Sequence, residues 1–106
     1  MDLDRIFGAL ADPTRRAILA RLALGEASVA ELAEPFAMTP RAVSLHVGVL
    51  EKAGLVSRSR DGQRRPSRLE LAPLQEVDLW LEHYRALWEG RLDRMAALLD
   101  EQAGGP

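Results

Sequence analysis

The chain has 106 residues and a mass of 11.7 kDa, which is the usual size of one domain. Apolar residues make up 47% of it, which excludes general disorder, and the absence of cysteine excludes disulfides, thiolate metal sites and cysteine nucleophiles. No apolar run is long enough to span a membrane, and the N-terminus lacks the apolar segment of a signal peptide. We therefore expect a soluble cytoplasmic protein with no membrane partner.

Charge is distributed unevenly along the chain. The formal net charge is −2, but residues 41–71 carry seven basic residues against three acidic ones, between acidic segments on either side. A local basic segment is the electrostatic pattern of a nucleic-acid-binding surface. Thirteen of the fourteen basic residues are arginine, a preference that suits phosphate binding but that a GC-rich genome would also produce.

The first 25 residues predict two helices. Apolar residues at helical spacing indicate a short helix over 2–11. Asp12 caps a second helix, Pro13 suits its first turn, and the helix continues to about Leu24 before Gly25 ends it. The residues expected to face the core from this helix are Ala17, Ile18, Leu19 and Leu22.

The next segment has the spacing of a helix-turn-helix. Ser28 has the spacing of a capping box and starts a short helix that Pro35 ends. Thr39-Pro40 repeats the combination of cap and proline, and the helix that follows covers 40–53 before Gly54. Its apolar stripe consists of Val43, Val47 and Leu50. Two short capped helices joined by a few residues are typical of this motif.

Residues 55–71 predict a β-hairpin that turns at Asp61-Gly62. In a register centred on that turn, Arg60 lies opposite Gln63 and Arg58 lies opposite Arg65. The hairpin then has an apolar base and a basic tip, which is the form of a wing.

A long helix is expected over 73–101, with Gly90 as its one irregularity. Its apolar stripe is too extensive for so small a domain to bury, so we predict a homodimer whose interface consists of residues 1–10 and 73–101. Residues 12–71 then form the core of a single domain that covers 1–106. The alternative is a terminal helix packed on its own core. The predicted interface residues are Leu3, Ile6, Phe7, Trp80, Leu81, Tyr84, Leu87, Trp88, Leu92 and Met95.

The order of these elements resembles that of the ArsR-type winged-helix regulators. The likeness covers residues 10–65; within it, the stretch 44–50 (SLHVGVL) is similar to the recognition-helix pattern S-x-H-x-x-x-L, and 51–56 (EKAGLV) is similar to the junction between helix and wing. The stretch WLEHYRALWEGRLDRM looks like that of a cysteine-free branch. The resemblance implies a mainly α fold with a small β-hairpin, about five helices plus a two-stranded wing, and a dimeric repressor that binds an inverted-repeat operator.

The predicted partner is double-stranded DNA. The first residues of a recognition helix meet base edges in the major groove, and wing arginines bind the backbone with an affinity that falls as salt rises. Leu45 and Gly48 stand where relatives commonly have polar or basic residues, and Leu45 either touches a thymine methyl group or packs. His46 could equally be a half-buried structural residue. The predicted DNA contacts are Thr39, Arg41, Ser44, Leu45, His46, Arg58, Arg60, Gln63, Arg64 and Arg65.

Other functions find less support in the sequence. The short helix SVAELAE lacks the cysteines of thiolate sensors, and the two histidines are 37 positions apart, so we expect no metal site around His83 and no cofactor. The sequence has neither a glycine-rich phosphate loop nor a nucleophile and base at a credible spacing, so we do not expect an enzyme. The remaining rival is a winged-helix module that only binds proteins or dimerises; it would not need a basic wing. The sequence does not identify an effector.

Overall fold

The computed structural model describes residues 2–59 and 65–103, and the chain divides into two compact units, Met1–Glu76 and Val77–Pro106. Within the described residues there are five helices and one antiparallel pair of strands, as the sequence predicts. The elements in chain order are α1 (Leu3–Leu10), α2 (Pro13–Leu22), α3 (Val29–Ala33), α4 (Pro40–Lys52), β1 (Val56–Arg58), β2 (Ser67–Leu69) and α5 (Ala72–Ala103).

The first four helices each begin at a side chain that caps the N-terminus. Asp12 accepts a hydrogen bond from the amide of Arg15 at 3.0 Å, and Thr39 accepts one from the amide of Ala42 at 3.1 Å. Such caps satisfy backbone donors that have no partner inside the helix. Asp2 and Ser28 do the same for α1 and α3, so the three caps predicted from the sequence are confirmed.

The core of the first unit forms around α4, which contacts α1, α2, α3 and β1. The predicted stripe of Val43, Val47 and Leu50 is fully buried. The prediction for α2 is only partly correct: Ile18, Leu19 and Leu22 are buried, but Ala17 is exposed because it lies outside the stripe that they form. The helix also ends at Leu22, and Leu24 is 85% exposed beyond it.

The end of α4 fixes where the hairpin begins. Gly54 has a φ of +78°, and the amide of Leu55 donates to the carbonyl of Leu50 at 3.0 Å while that of Gly54 donates to Glu51 at 2.9 Å. This is the Schellman arrangement, in which a left-handed residue closes the last turn. Leu50 and Leu55 are both fully buried, so packing on either side of the turn fixes the direction in which the chain enters β1.

The register of the hairpin differs from the prediction by two residues. Arg58 lies opposite Ser67 rather than Arg65, and Val56 lies opposite Leu69. Arg65 has a φ of +36°, a left-handed conformation that does not continue a strand, and Ser67 is held by a bridge to Ala27. The base of the hairpin therefore sets the register. The predicted turn at Asp61-Gly62 lies outside the described residues.

The last helix, α5, has 32 residues and continues through Gly90, so the irregularity expected there is absent. At 1.5 Å per residue it is about 48 Å long. Among the described residues, no helix is both long and apolar enough to cross a membrane.

Candidate nucleic-acid interface

The side chain of Arg15, on α2, contacts both α1 and α4. Its Nε donates to the carbonyl of Ala9 at 2.7 Å and its Nη2 to that of Gly8 at 3.1 Å, while Nη1 lies 3.4 Å from Nδ1 of His46. A guanidinium among the last carbonyls of α1 suits the negative end of that helix. The same side chain therefore fixes α2 against both α1 and α4.

Asp12 lies beside this cluster. The amide of Arg15 donates to its carboxylate, and the positive charges of Arg15 and of a protonated His46 also favour its ionised form. These interactions outweigh partial desolvation, so the pKa of Asp12 is lowered. The carboxylate is 3.9 Å from Nδ1 of His46. Asp12 therefore remains ionised at neutral pH and holds the start of α2 near α4.

His46 is half-buried, and its ring is partly committed to this cluster. Because a guanidinium only donates, a hydrogen bond between Arg15 and Nδ1 of His46 requires the neutral imidazole with Nδ1 as the acceptor. In the neutral ring the proton then resides on Nε2, which is the nitrogen left for a DNA contact. The structural interpretation of His46 is therefore supported, and its predicted role in binding DNA depends on Nε2 alone.

The face of α4 directed away from the core carries a different set of residues from those of the sequence motif. Arg41 and Leu45 are exposed, as is Lys52, and Leu45 is 69% exposed, so most of its side chain is open to solvent. Val49 is 41% exposed. We call this surface the outer face of α4; it consists of Arg41, Leu45, Gly48, Val49 and Lys52.

The DNA contacts predicted from the sequence include Arg41 and Leu45 but not Gly48, Val49 or Lys52. Their signal was available: positions 41, 45, 48 and 52 repeat at helical spacing opposite the stripe of Val43, Val47 and Leu50. Ser44 is half-buried at one border of the outer face. Thr39 is exposed, and its hydroxyl oxygen already accepts the hydrogen bond that caps α4.

Arg58 is directed toward α4 rather than outward. Its Nη2 donates to the backbone oxygen of Ser44 at 3.1 Å. Its Nε is buried and, like the hydroxyl of the fully buried Ser67 opposite, has no hydrogen-bond partner among the described residues. The geometry thus gives Arg58 a structural contact that its predicted role on the wing did not include.

The rest of the predicted wing contacts are only partly described. Arg65 is exposed two residues before β2, where its guanidinium is available to a ligand. Arg60, Gln63 and Arg64 lie outside the described residues. At the base of the hairpin, the hydroxyl of Ser57 donates to the carboxylate of Glu70 at 2.6 Å.

The second unit presents a broad apolar surface along α5. Trp80 and Trp88 are each 39% exposed, and their rings are on a stripe with Tyr84. The rings of Trp80 and Tyr84 are 5.3 Å apart. Leu81 is half-buried, and the side chain of Leu92 lies outside the described part. The exposed apolar residues of α5 are Leu79, Trp80, Tyr84, Leu87, Trp88, Met95, Leu98 and Leu99.

An ion-pair cluster borders this apolar surface. Arg85 binds Asp78, Glu82 and Glu89 on the same helix, and the hydrogen bond with Asp78 is the main reason that the pKa of Arg85 is raised. This cluster occupies a different side of α5 from Trp88, whereas the exposed Arg91, seven residues after Tyr84, lies on the apolar stripe itself.

One predicted interface residue needs correction. Ile6 is 1% exposed and packs in the core of the first unit, so it is not available to a partner chain. Leu3 and Phe7 are half-buried. Leu3 and Phe7 therefore remain as the candidates from α1.

No group of three or more histidine, cysteine, aspartate or glutamate residues that could hold a metal ion occurs in the described part of the chain. His83 is exposed on α5, and the adjacent Glu82 is engaged with Arg85.

Comparison with known proteins places this architecture among DNA-binding regulators. Residues 10–58 match the helix-turn-helix domain family, a stretch that includes α2, α3, α4 and β1. The chain is 39% identical over 99 residues to the HTH-type transcriptional regulator Rv2034 of Mycobacterium tuberculosis, covering 93% of this chain and 90% of that protein. It is 32% identical over 82 residues to the transcriptional repressor SdpR of Bacillus subtilis, covering 77% of this chain and 91% of SdpR.

Solved structures agree with these relatives. A crystal structure of an ArsR family transcriptional regulator superposes with a TM-score of 0.75 at 44% identity, covering 82% of this chain and 96% of the other. The homodimeric winged helix-turn-helix DNA-binding domain of Mb0332 from Mycobacterium bovis, a possible ArsR-family regulator, superposes with a TM-score of 0.64 at 28% identity, covering 78% of each chain.

Proposed function

Because the chain belongs to the ArsR family of winged helix-turn-helix transcriptional regulators, we propose that it is a homodimeric repressor that binds an inverted-repeat operator. Residues 12–71 form the DNA-binding core, and residues 1–10 and 73–101 form the dimer interface. It acts in the cytoplasm, where the DNA is, and it catalyses no reaction.

The observation that carries this proposal is the outer face of α4. Arg41 and Lys52 are exposed on it, while the opposite stripe of the same helix is fully buried. A helix fixed on one side and cationic on the other can enter the major groove without disturbing the core. The exposed Arg65 supplies a further cation from the wing that can bind the phosphate backbone.

The exposed apolar side chains of α5 support the homodimer. Both tryptophans, several leucines and Met95 are open to solvent on one helix, a pattern that indicates a partner surface. A second copy is favoured because two-fold dimers are the commonest assemblies and because Mb0332, a relative in structure, is described as homodimeric. The repressor role is supported by the likeness to SdpR.

Selection of bound sequences from random DNA duplexes tests the proposal. We expect enrichment of an inverted repeat whose half-sites are about one helical turn, roughly 34 Å, apart. Sedimentation of the complex should give two chains for each duplex. Failure to enrich any sequence, combined with binding that does not change with salt, would support the interaction module without specific DNA binding.

We also infer that metal ions do not regulate the protein. The support is chemical: the chain has no cysteine, and the carboxylate of Glu82, next to His83, is paired with Arg85. A calorimetric titration with zinc after chelator treatment tests this, and a stoichiometric site lost on changing His83 to alanine would contradict it.

A further inference from the structure

The outer face of α4 has an apolar notch at its centre. Leu45 and Val49 are exposed one helical turn apart. Gly48, three residues after Leu45 and next to Val49, is on the same side of the helix. Residues three and four apart are neighbours on a helix surface, so the missing side chain of Gly48 leaves a gap beside two apolar ones. We call these three residues the α4 notch.

Packing within the protein does not account for the glycine. A Cβ atom added at Gly48 would meet no other atom within 4 Å. Alanine would therefore fit, and alanine is a much better helix former than glycine. The open space at Gly48 is on the side from which a ligand approaches, so its physical consequence is closer access to the helix backbone between Leu45 and Val49.

The charges around the notch indicate what occupies it. Arg41 and Lys52 are exposed on the outer face, one toward each end of the helix, and neither pairs with a carboxylate in the part of the chain that the structure describes. An apolar gap between two cations is complementary to the major groove, where phosphates border the base edges. The apolar group that a base presents in that groove is the 5-methyl group of thymine.

We propose that the α4 notch binds the 5-methyl group of one thymine in each half-site of the operator. Leu45 and Val49 contact the methyl group, Gly48 gives it room, and Arg41 and Lys52 bind the DNA on either side. This inference rests on the proposed function and adds a specific base to it. The exposure of Leu45 favours this contact over packing, the other alternative that the sequence left open, because 69% of the residue is accessible.

Replacement of thymine by deoxyuridine tests the contact, because it removes only the methyl group. Each thymine of the selected site is replaced in turn, and affinity is measured by fluorescence anisotropy. We expect one position in each half-site where the affinity falls about fourfold, the effect of burying one methyl group. Replacements at other thymines should have no effect.

Variants then assign the contact to the notch. Leu45→Ala should weaken binding and abolish the difference between thymine and deoxyuridine at the sensitive position. Leu24→Ala is the matched control, because Leu24 is also an exposed leucine but lies off α4, and it should keep the full difference. Gly48→Ala should raise the midpoint of thermal unfolding, since its Cβ has space, and yet reduce the preference for thymine.

The outcomes separate the inference from the proposed function. If no sequence is selected from random duplexes, the proposed function fails. If a site is selected but no deoxyuridine replacement weakens binding, or if Leu45→Ala keeps the preference for thymine, only the α4 notch is refuted. Thermal unfolding of each variant shows that the comparison is made on folded protein.

Discussion

Arg58 and Ser44 join the hairpin to the helix that carries the outer face. The Nη2 of Arg58, at the end of β1, donates to the backbone oxygen of Ser44 in the middle of α4 over 3.1 Å. The side chain crosses from one element to the other, and its Nε is buried on the way. The wing and α4 are therefore oriented together, so that DNA bound by one is presented to the other.

This contact predicts that Arg58→Ala is a stability variant. Removing a hydrogen bond from a charged, partly buried donor should lower the free energy of unfolding by about 1–2 kcal/mol. Arg68→Ala is the control, since Arg68 belongs to the same hairpin but is exposed, and it should change the stability by less than about 0.5 kcal/mol. Urea unfolding measures both. Equal stability of the two variants would show that the contact with Ser44 contributes nothing.

Arg65 should behave in the opposite way. It is exposed, so Arg65→Ala should leave the fold unchanged but weaken binding to all duplexes alike and reduce the dependence of log affinity on log salt by about one unit. Arg65→Lys keeps the charge and should keep the salt dependence. A loss of sequence preference in Arg65→Ala, with the salt slope unchanged, would instead mean that Arg65 reads bases.

Much of the fold follows from local rules that act over a few residues. Asp12, Ser28 and Thr39 cap helices because each lies three residues before an amide that needs an acceptor. The buried stripe of α4 follows from helical periodicity in the same way. Such features need no knowledge of distant parts of the chain, and for that reason the sequence predicts them correctly.

The errors have tertiary causes. The hairpin register depends on the bridge between Ala27 and Ser67 and on the left-handed Arg65, neither of which a turn motif reveals. The contacts of Arg15 with Ala9 and His46 depend on how three helices pack. A motif indicates which residue types occur together, but only the buried stripe shows that Lys52 lies on the outer face while His46 is turned partly inward.

The apolar stripe of α5 predicts that one charge will dissociate the dimer. Trp88→Glu should give a monomer at micromolar concentration, because it removes a large apolar side chain from the interface and a carboxylate placed there loses its hydration. Leu79→Glu is the control: Leu79 is nine residues away, on the opposite side of the helix, and it is 63% exposed. It should stay dimeric. Sedimentation velocity distinguishes the two results, and a dimer with Trp88→Glu would locate the interface elsewhere.

Asp12 predicts how stability changes in acid. Its pKa is lowered in the folded protein, chiefly by the amide of Arg15, so its ionised form stabilises the fold above the unfolded pKa of about 4. That contribution should disappear as the pH falls through the lowered value. Asp12→Asn keeps a capping oxygen but does not titrate, so the advantage of the wild type over it should begin to fall near pH 4 and vanish below the lowered pKa of Asp12. Parallel loss of stability in both proteins would contradict this.

The central claim is that a dimer presents two copies of α4 to one face of DNA. The most direct measurement is the affinity for the selected operator after insertion of about half a helical turn, roughly five base pairs, between its half-sites. The insertion leaves every base contact available but turns one half-site to the opposite face of the duplex. The account predicts that the affinity falls to that for a duplex of equal length that carries a single half-site. An affinity that does not change would contradict it.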